Sequence, residues 1–318
     1  MNTSLNKIFD FDIKYQNELS DYFVFDELIP ADINFITMTA WRKAVNLRFT
    51  IIENALYVIG LWNNKNILWG PPLGKNLELK HIDIAFELLD ELNEDKANYE
   101  ILYLWQEYPL FEQLQTSEKY RIIQQSKEYI YDPFLMSEMK GKDFSNRRYQ
   151  YNFFKKNYNP EIIKYDNIHN VDCIEFIQKW RNVKISKLDA SQTKHTEKFN
   201  IESDVCINAL KENLPLEGII VKTDGEIQGF ALGVKHNKDC FNFMFTKNNI
   251  DLKGSGIYTI LSLSQYLKEK YKLYTFGEDW NIPHLAEHKL RWHPVKLLDT
   301  FTLIKKNNEE KNVGKIEL

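Results

Sequence analysis

Cysteine is scarce in this chain: the 318 residues contain three, Cys173, Cys206 and Cys240, and no C-x-x-C pair. Their odd number and wide spacing favour reduced thiols over a disulfide framework, as in a cytoplasmic protein. No apolar run approaches the roughly 20 residues that a membrane-spanning helix needs, and the N-terminal sequence lacks the basic-then-apolar pattern of a secretory signal. The sequence therefore predicts a soluble cytoplasmic protein.

Linkers rich in proline, glycine or serine are also missing, whereas apolar residues are plentiful. With 43% hydrophobic and 14% aromatic residues, the chain can bury a core, which excludes global disorder. The charge is uneven, because residues 1–138 carry 12 Lys and Arg against 22 Asp and Glu, and residues 139–318 carry 29 against 23. This asymmetry indicates either that an anionic ligand binds the C-terminal part or that the surface charge simply varies along the chain.

One order of elements occurs twice along the sequence. Residues 46–72 predict three short strands, with breaks at Glu53-Asn54 and Asn63-Asn64. Residues 216–247 predict three more strands, with a turn at Asp224-Gly225. Each set is followed by an amphipathic helix with apolar residues on one face, by a short strand, by an acidic corner, by a short helix and by a last strand.

This repeated order predicts an α/β protein of the mixed α+β kind with two tandem lobes, residues 1–138 and 139–318. Each lobe is expected to contain a mostly antiparallel meander that leads into one β-α-β crossover. The two acidic corners lie 171 residues apart, so Glu107 in the first corresponds to Glu278 in the second. A single large α+β domain with a coincidental rhythm is the alternative.

The loop after the third strand of the second lobe has the composition of an anion-binding site. Gly254 and Gly256 flank Ser255 where the predicted helix begins, so backbone N–H groups can turn towards a phosphate with the helix dipole behind them. Lys247 and Lys253 flank this loop. The corresponding loop of the first lobe contains two prolines, which lack N–H donors. The second lobe is therefore the one expected to bind a phosphorylated ligand.

The segment Asp251-Leu-Lys-Gly254-Ser-Gly256 resembles the Arg/Gln-x-x-Gly-x-Gly/Ala loop of the GNAT acyltransferases. In that family the backbone amides of the loop hold the pyrophosphate of acyl-coenzyme A, so the resemblance implies acyl-coenzyme A as a candidate cofactor. Asp251 stands where those enzymes have Arg or Gln, which makes ordinary acetyl-coenzyme A a less favoured donor.

A longer set of residues resembles the C-terminal domain family of the phosphatidylglycerol lysyltransferases, which includes soluble stand-alone members. The matching positions are Lys247, Gly256-Ile257-Tyr258, Glu278-Asp279, Leu285, Lys289 and Pro294. The resemblance implies a pair of tandem GNAT-like lobes and a donor that is either an aminoacyl-tRNA or a coenzyme A thioester. The first lobe, which lacks the Gly-x-Gly loop, is then expected to be structural or to shape the acceptor groove.

Residues 276–294, FGEDWNIPHLAEHKLRWHP, raise the question of a metal site. His284, Glu287 and His288 have the H-x-x-E-H order of inverted zinc peptidases. No well-placed third ligand follows in the sequence, however, and the short helix ends against Pro294. We therefore expect no metal here.

Two other interpretations of this stretch concern Glu278 and Asp279, which lie between a strand and a short helix. They can cap the helix and pair with Lys289 and Arg291 in a structural network. Alternatively, because the carboxyl end of a strand in a β-α-β crossover faces the ligand crevice, Glu278 can lie near the glycine loop and act as the general base of an acyl transfer, with Asp279 beside it. Lys289 and Tyr258 can then steady the developing negative charge.

On these grounds the sequence predicts a soluble acyl- or aminoacyltransferase. It is expected to move an acyl group from a coenzyme A thioester or aminoacyl-tRNA to an amine or hydroxyl of a small-molecule, peptide or lipid acceptor. The basic, aromatic segment 140–159 either contacts tRNA or another polyanion or forms a solvated helix. A GNAT-like protein that binds a ligand or partner without turnover is the alternative function.

Overall fold

The computed structural model of the chain describes residues 7–94, 99–187 and 193–306, with residues 193–199 described by their backbone alone. The chain forms two compact units. The first unit consists of Met1–Tyr129, Gly277–His288 and Leu297–Leu318, and the second of Ile130–Phe276 and Lys289–Lys296. In the described part of the chain, no helix combines the length and the apolar character that crossing a membrane requires.

The two halves of the chain share one succession of elements. The first half contains β1 (Phe9–Asp10), α1 (Gln16–Leu19), α2 (Phe35–Trp41), β2 (Arg48–Ile52), β3 (Ala55–Trp62), β4 (Lys65–Leu68), α3 (Leu79–Leu92), β5 (Ile101–Leu104), α4 (Phe111–Gln115) and β6 (Tyr120–Tyr131). The second half contains α5 (Pro133–Glu138), α6 (Ser145–Tyr158), β7 (Glu161–Lys164), α7 (Asn170–Ser186), α8 (Thr193–Lys211), β8 (Glu217–Thr223), β9 (Glu226–Lys235), β10 (Cys240–Asn248), α9 (Ser255–Leu267), β11 (Leu273–Glu278), α10 (Pro283–Leu290) and β12 (Lys296–Lys305). The run from β2 to β6 recurs from β8 to β12, as the repeated pattern predicted.

In the first unit the strands have the order β1-β2-β3-β4-β5-β12-β6. Strands β1 to β4 pair antiparallel, and β4 pairs in parallel with β5, with Leu68 opposite Ile101, so α3 makes the crossover. The predicted breaks at Glu53-Asn54 and Asn63-Asn64 are turns whose residues have φ between 48° and 61°. Two successive residues with positive φ are the requirement of the type I′ hairpin turn, which asparagine tolerates.

In the second unit the strands have the order β11-β10-β9-β8-β7. β10 pairs in parallel with β11 through Cys240–Asn242, and α9 makes the crossover. A Cβ at Gly229 of β9 would lie 2.8 Å from Thr259 Oγ1 of α9, whereas the Phe230 ring lies 6.1 Å from the Phe176 ring of α7. Successive strand residues point to opposite faces, so α9 and α7 cover opposite faces of this sheet. Both units thus have the predicted meander and crossover, and the mixed α/β fold is confirmed.

The boundary between the compact units differs from the division expected at residues 138 and 139. Strand β12 pairs antiparallel with β5, with Phe301 opposite Leu104, so most of the last strand belongs to the first unit although its sequence completes the second copy of the repeat. Conversely, α5 packs against α9, and residues 130–138 belong to the second unit. Periodicity locates each strand in the sequence, but the partner of a strand is a non-local choice.

Glu100, directly before β5, has a carboxyl group whose buried environment disfavours its charged form. Its Oε2 atom is buried without a hydrogen-bond partner among the described residues. Burial raises the pKa of the Glu100 carboxyl from 4.5 to about 7, against a smaller opposing effect of Lys65. Between pH 4.5 and about pH 7 the Glu100 carboxyl keeps its proton in the folded protein but has lost it in the unfolded chain. The free energy of unfolding therefore falls as the pH rises through this range.

We expect Glu100→Gln to be more stable than the parent chain above pH 7, by about 2 kcal/mol. One pKa unit corresponds to about 1.4 kcal/mol, and solvent screening removes part of the full effect. Near pH 4, where both side chains are neutral, the melting temperatures of the two proteins should coincide. Thermal unfolding across this pH range measures the difference, with Glu112→Gln on the exposed side of α4 as the control. A gain that does not grow with pH would contradict this account of Glu100.

Candidate active site

The loop between β10 and α9 places a left-handed glycine at the start of the helix. Gly254 is the N-cap of α9, with φ 88° and ψ −4°, a conformation that residues with a Cβ rarely adopt. A Cβ here would also lie 2.6 Å from the carbonyl oxygen of Gln150 in α6. A Cβ at Gly256, in contrast, would approach Asn248 Nδ2 no closer than 3.8 Å. The fold thus requires glycine at 254, whereas at 256 it leaves space beside the first turn of α9.

Some of the hydrogen-bond donors in the predicted anion cradle are already bonded within the protein. The N–H of Ser255 donates to the carbonyl oxygen of Leu252 (3.1 Å), and its hydroxyl donates to that of Gln228 (3.2 Å). The N–H groups of Gly256 and Ile257 lie in the first helical turn, where an α-helix offers no intrahelical acceptor. These two amides, rather than that of Ser255, are therefore the donors that a phosphate at this helix start would meet.

Lys247 is buried beneath α7 and α8. Its side chain is 1% exposed, and its Nζ lies 2.8 Å from Glu202 Oε2 of α8 and 4.6 Å from the ring centre of Trp180 in α7. An ammonium group between a carboxylate and an aromatic face is well compensated inside a protein. The structure thus places Lys247 in an internal ion pair, and its contact with a phosphate stays a prediction.

The other charged residues of the loop lie at its surface. Lys253 Nζ lies 5.2 Å from the ring centre of Tyr149 and 4.9 Å from that of Phe153, both in α6, so its charge stays beside the start of α9. The carboxylate of Asp251 forms an ion pair with Lys187. This ion pair offsets the negative charge at the position where the GNAT loop has Arg or Gln.

The two glycines of the loop should respond differently to alanine. We expect Gly254→Ala to lower the free energy of unfolding by about 1–3 kcal/mol, because the new Cβ meets Gln150 and the positive φ is strained. Gly256→Ala should leave the stability unchanged or raise it slightly, since alanine favours a helix and the position has room. Chemical denaturation of both variants measures the contrast, and equal destabilisation would be inconsistent with the loop as described.

Tyr258, which follows the loop by one turn of α9, is a core residue of the second unit. It is 3% exposed, and its ring lies 4.7 Å from the ring of Tyr151 and 5.0 Å from that of Phe154 in α6. Burial raises the pKa of the Tyr258 hydroxyl to about 12, so the phenol is neutral at physiological pH. These contacts fix α6 on α9, and a part for Tyr258 in steadying negative charge stays a prediction.

Lys289 holds the end of β11. Its side chain is buried, and its Nζ donates a hydrogen bond of 2.7 Å to the carbonyl oxygen of Phe276. The carbonyl oxygen of Lys289 accepts a hydrogen bond of 2.8 Å from the hydroxyl of Tyr131. The ammonium group is thus bound to the backbone two residues before Glu278, which is a positioning contact.

Asp279 is fixed on three sides within the first unit. Its Oδ2 accepts a hydrogen bond from the hydroxyl of Tyr129 (2.6 Å), and its Oδ1 accepts from the hydroxyl of Ser126 (3.2 Å) and from the N–H of Asn281 (2.8 Å). Burial and the bond to Asp279 raise the pKa of the Tyr129 hydroxyl. This geometry is that of a structural carboxylate at the corner before α10, and a catalytic part for Asp279 stays a prediction.

Glu278, the last residue of β11, has a different environment. It is 7% exposed and belongs to the first unit. In that unit, burial and then the charges of Asp32, Glu278 and Glu128 raise the pKa of the Tyr103 hydroxyl. Three carboxyl groups therefore lie within electrostatic reach of one buried phenol. The expected proximity of Glu278 to Gly256 stays a prediction.

Sequence reasoning missed Tyr103, Asp32 and Glu128. Tyr103 lies inside β5 with φ 52°, and its N–H donates to Gln125 Oε1 (3.1 Å) instead of a neighbouring strand. Such strained backbone is enriched at functional sites, but it has no sequence signature. Glu128 is fully buried and accepts a hydrogen bond of 2.7 Å from the N–H of Ala31. The period-2 alternation of β6 places it on a face with apolar residues, and this was the available signal.

The H-x-x-E-H sequence lies at the surface of the first unit. The residues of the H-x-x-E-H sequence, His284, Glu287 and His288, lie exposed on α10. Among the residues that the structure describes, no group of three or more His, Cys, Asp or Glu has the arrangement of a metal site.

The three cysteines are buried thiols outside disulfide bonds, as their spacing predicted. Burial raises the pKa of the Cys173 thiol to about 12. A thiol needs a lowered pKa to act as a nucleophile at neutral pH, so Cys173 is not suited to that role.

Comparisons with known proteins agree with the architecture of both units. The family model "Phosphatidylglycerol lysyltransferase, C-terminal" matches residues 29–304. A protein of unknown function from Bacteroides thetaiotaomicron has a similar structure, with a TM-score of 0.81 and 20% identity over 95% of this chain and 100% of its own. L-PGS from Bacillus licheniformis is also similar, with a TM-score of 0.65 and 14% identity over 98% of this chain and 96% of its own. No protein of curated function matches the sequence.

Proposed function

Because the chain belongs to the phosphatidylglycerol lysyltransferase C-terminal family, we propose that it transfers an aminoacyl group from aminoacyl-tRNA to an amine or hydroxyl acceptor. The observation that supports this most is the buried position of Glu278 at the carboxyl end of β11, with Glu128 and Asp32 within electrostatic reach of the same phenol. A buried carboxyl group with like-charged neighbours is a physical candidate for acid–base chemistry.

In this proposal Glu278 is the general base. The acceptor attacks the carbonyl carbon of the aminoacyl ester, Glu278 takes the proton that the acceptor loses, the ester bond to the tRNA breaks, and the released ribose hydroxyl regains a proton. Lys289 and Asp279 act as positioning residues, since Lys289 binds the backbone just before Glu278 and Asp279 is fixed directly after it.

The carboxyl groups also support an aminoacyl donor over a simple acyl donor. The amino group of an aminoacyl ester carries a proton at lower pH and donates charge-assisted hydrogen bonds, which carboxylates accept strongly. Glu278, Glu128 and Asp32 offer such acceptors in the first unit. An acetyl or fatty acyl group has no positive charge to place among them.

The glycine loop gives less support to a coenzyme A donor. Its Ser255 amide is already bonded to Leu252, the ammonium group of Lys247 is paired with Glu202, and Asp251 brings a carboxylate to the loop. Pyrophosphate binding would depend on the amides of Gly256 and Ile257 and on Lys253. Acyl-coenzyme A is therefore the second donor class, after aminoacyl-tRNA.

Thermal unfolding with four ligands tests the donor: aminoacyl-tRNA, deacylated tRNA, acetyl-coenzyme A and coenzyme A. A ligand at about 100 times its dissociation constant adds about 2.7 kcal/mol of stability. We expect aminoacyl-tRNA to stabilise the protein more than deacylated tRNA, and both coenzyme A compounds to have little effect. Stabilisation by the coenzyme A compounds alone would replace the aminoacyl donor with a thioester. If none of the four ligands stabilises the protein and no turnover is detected, the result would favour the non-catalytic binding protein.

A further inference from the structure

The second unit contains a cavity of about 390 Å³ that the proposed chemistry does not use. One wall is a stripe of α7 side chains, the second is the turn between β8 and β9 with the first residues of β9, and the third is the loop at residues 249–251. The volume lies within the range of small-molecule sites, about 300–1,000 Å³. The cavity shares this loop with the glycine cradle, because residues 249–251 lead directly to Gly254.

The apolar part of the cavity is a slot with aromatic side chains on one wall and aliphatic side chains on the other two. Phe176 and Trp180 lie four residues apart on α7, which places them side by side on one helix face. Ile227 of β9 and Ile250 of the loop contribute apolar surface from the other two walls. Ile250 is 38% exposed, so this surface is open to a ligand. Two aromatic rings on one wall and aliphatic side chains on the others favour a flat ligand.

The environment of Trp180 disfavours a cationic ligand. Lys247 Nζ lies over the Trp180 ring at 4.6 Å, and Lys247 is 2% exposed and does not line the cavity, so one part of the ring is already occupied by an internal cation. A cation on one face draws the π electrons of the ring towards itself. The other parts of the ring are then less attractive to a second cation and more attractive to an electron-rich ring.

The polar part of the cavity disfavours an anion. Four carboxylates line it against two lysines, and of these acids Asp172, Glu175 and Glu226 accept hydrogen bonds but repel phosphates. The amide of Gln228 is buried, and its Oε1 accepts a hydrogen bond of 2.8 Å from Asn249 Nδ2. Carboxylates and amides around an aromatic slot suit a neutral, planar heterocycle that carries N–H donors, as a purine base does.

From these contacts we infer that the cavity between α7, the β8–β9 turn and residues 249–251 binds a purine nucleoside, namely adenosine. Its base stacks on Trp180 and Phe176, with its exocyclic amine directed to the carboxylates. Adenosine is the group that both donor classes share, since it occurs in coenzyme A and at the 3′ end of every tRNA; the physiological role of the cavity therefore rests on the proposed function. The carboxylates disfavour coenzyme A more than the tRNA terminus, because the adenosine of coenzyme A carries a 3′-phosphate and a 5′-diphosphate, whereas the terminal adenosine of tRNA carries one 5′-phosphodiester.

Calorimetric titration of adenosine into the full chain tests the site. Ile250→Asp, which places a carboxylate in the slot, should weaken adenosine binding at least tenfold, whereas Ile201→Asp on α8, at the same 38% exposure, should leave it unchanged. Trp180→Leu should weaken binding by about ten- to a hundredfold, as loss of a stacking platform does. Uridine should bind more weakly than adenosine. No binding of adenosine, equal binding by Ile250→Asp, or tighter binding of uridine or guanosine would overturn the assignment.

Competition experiments identify the source of the nucleoside. A short RNA hairpin that ends in CCA should displace adenosine, and the same hairpin that ends in CC should not. Displacement by coenzyme A in place of the CCA hairpin would transfer the site to a thioester donor, and displacement by neither would overturn the link to a donor. Glu278→Gln should bind adenosine like the parent chain, so a failure of the proposed chemistry and a failure of this site give different results.

Discussion

Glu278→Gln is expected to lower the rate of aminoacyl transfer by about two to four orders of magnitude, while the melting temperature changes by no more than a few degrees. Glutamine keeps the volume and polarity of glutamate, but it cannot take the proton of the acceptor. Glu278 is 7% exposed and, like Asp32 and Glu128, acts electrostatically on Tyr103. The neutral amide therefore also removes one negative charge from the surroundings of this phenol. Initial rates at saturating donor and thermal unfolding measure the two effects.

The repeat in the chain supplies the control for this experiment. Glu107 occupies the corresponding corner of the first copy and is exposed, so Glu107→Gln should retain the rate of the parent chain. A Glu278→Gln protein that turns over normally would remove Glu278 from the mechanism. A protein that loses its fold along with its activity would instead assign Glu278 a structural role.

Glu202→Gln is expected to lower the free energy of unfolding by about 3 kcal/mol. The substitution leaves the ammonium group of Lys247, whose side chain is 1% exposed, without its carboxylate partner, and breaking a buried ion pair from one side costs about 3–5 kcal/mol. The Glu202 side chain is 23% exposed, which places the cost at the lower end. The Trp180 ring retains part of the interaction through its cation–π contact.

Two further variants serve as the rescue and the control for this prediction. Glu202→Gln combined with Lys247→Met should recover most of the lost stability, because no buried charge remains unpaired. Asp204→Asn breaks the neighbouring ion pair with Arg181, in which the Asp204 side chain is 60% exposed, and should change stability by no more than about 1 kcal/mol. Equal effects of Glu202→Gln and Asp204→Asn in chemical denaturation would be incompatible with a buried pair at Lys247.

The local elements of the fold could be predicted from the sequence because their signals are local. The turns at Glu53-Asn54, Asn63-Asn64 and Asp224-Gly225 all have pairs of positive φ angles, which the Asn, Asp and Gly residues in them favour. The amphipathic helices α3 and α9 follow the two meanders as their apolar spacing indicates.

The partners of the elements could not be predicted in this way. Strand β12 pairs with β5, nearly 200 residues earlier in the chain, and nothing in the period of either strand specifies that choice. For the same reason Tyr103, Asp32 and Glu128 were not connected with Glu278, although Asp32, Glu128 and Glu278 all raise the pKa of the Tyr103 hydroxyl in the first unit.

The candidate site shows a second limit, which concerns the state of each charge. The sequence gives the positions of Lys247, Lys253 and Lys289, but it does not say which ammonium groups the protein uses internally. In the structure Lys247 pairs with Glu202 and Lys289 bonds to the backbone of Phe276, whereas Lys253 stays at the surface. Lysines that look equivalent in a motif can therefore be core residues, positioning residues or ligand contacts.

The most direct test of the central claim is single-turnover loss of the amino acid from a pool of labelled aminoacyl-tRNAs, with excess protein and a panel of amine and hydroxyl acceptors. The account predicts that the wild-type chain moves label from tRNA to an acceptor, and that Glu278→Gln does so at least a hundredfold more slowly while Glu107→Gln does not differ from wild type. If label leaves no tRNA in the pool faster than it does in the protein-free control, the central claim is wrong.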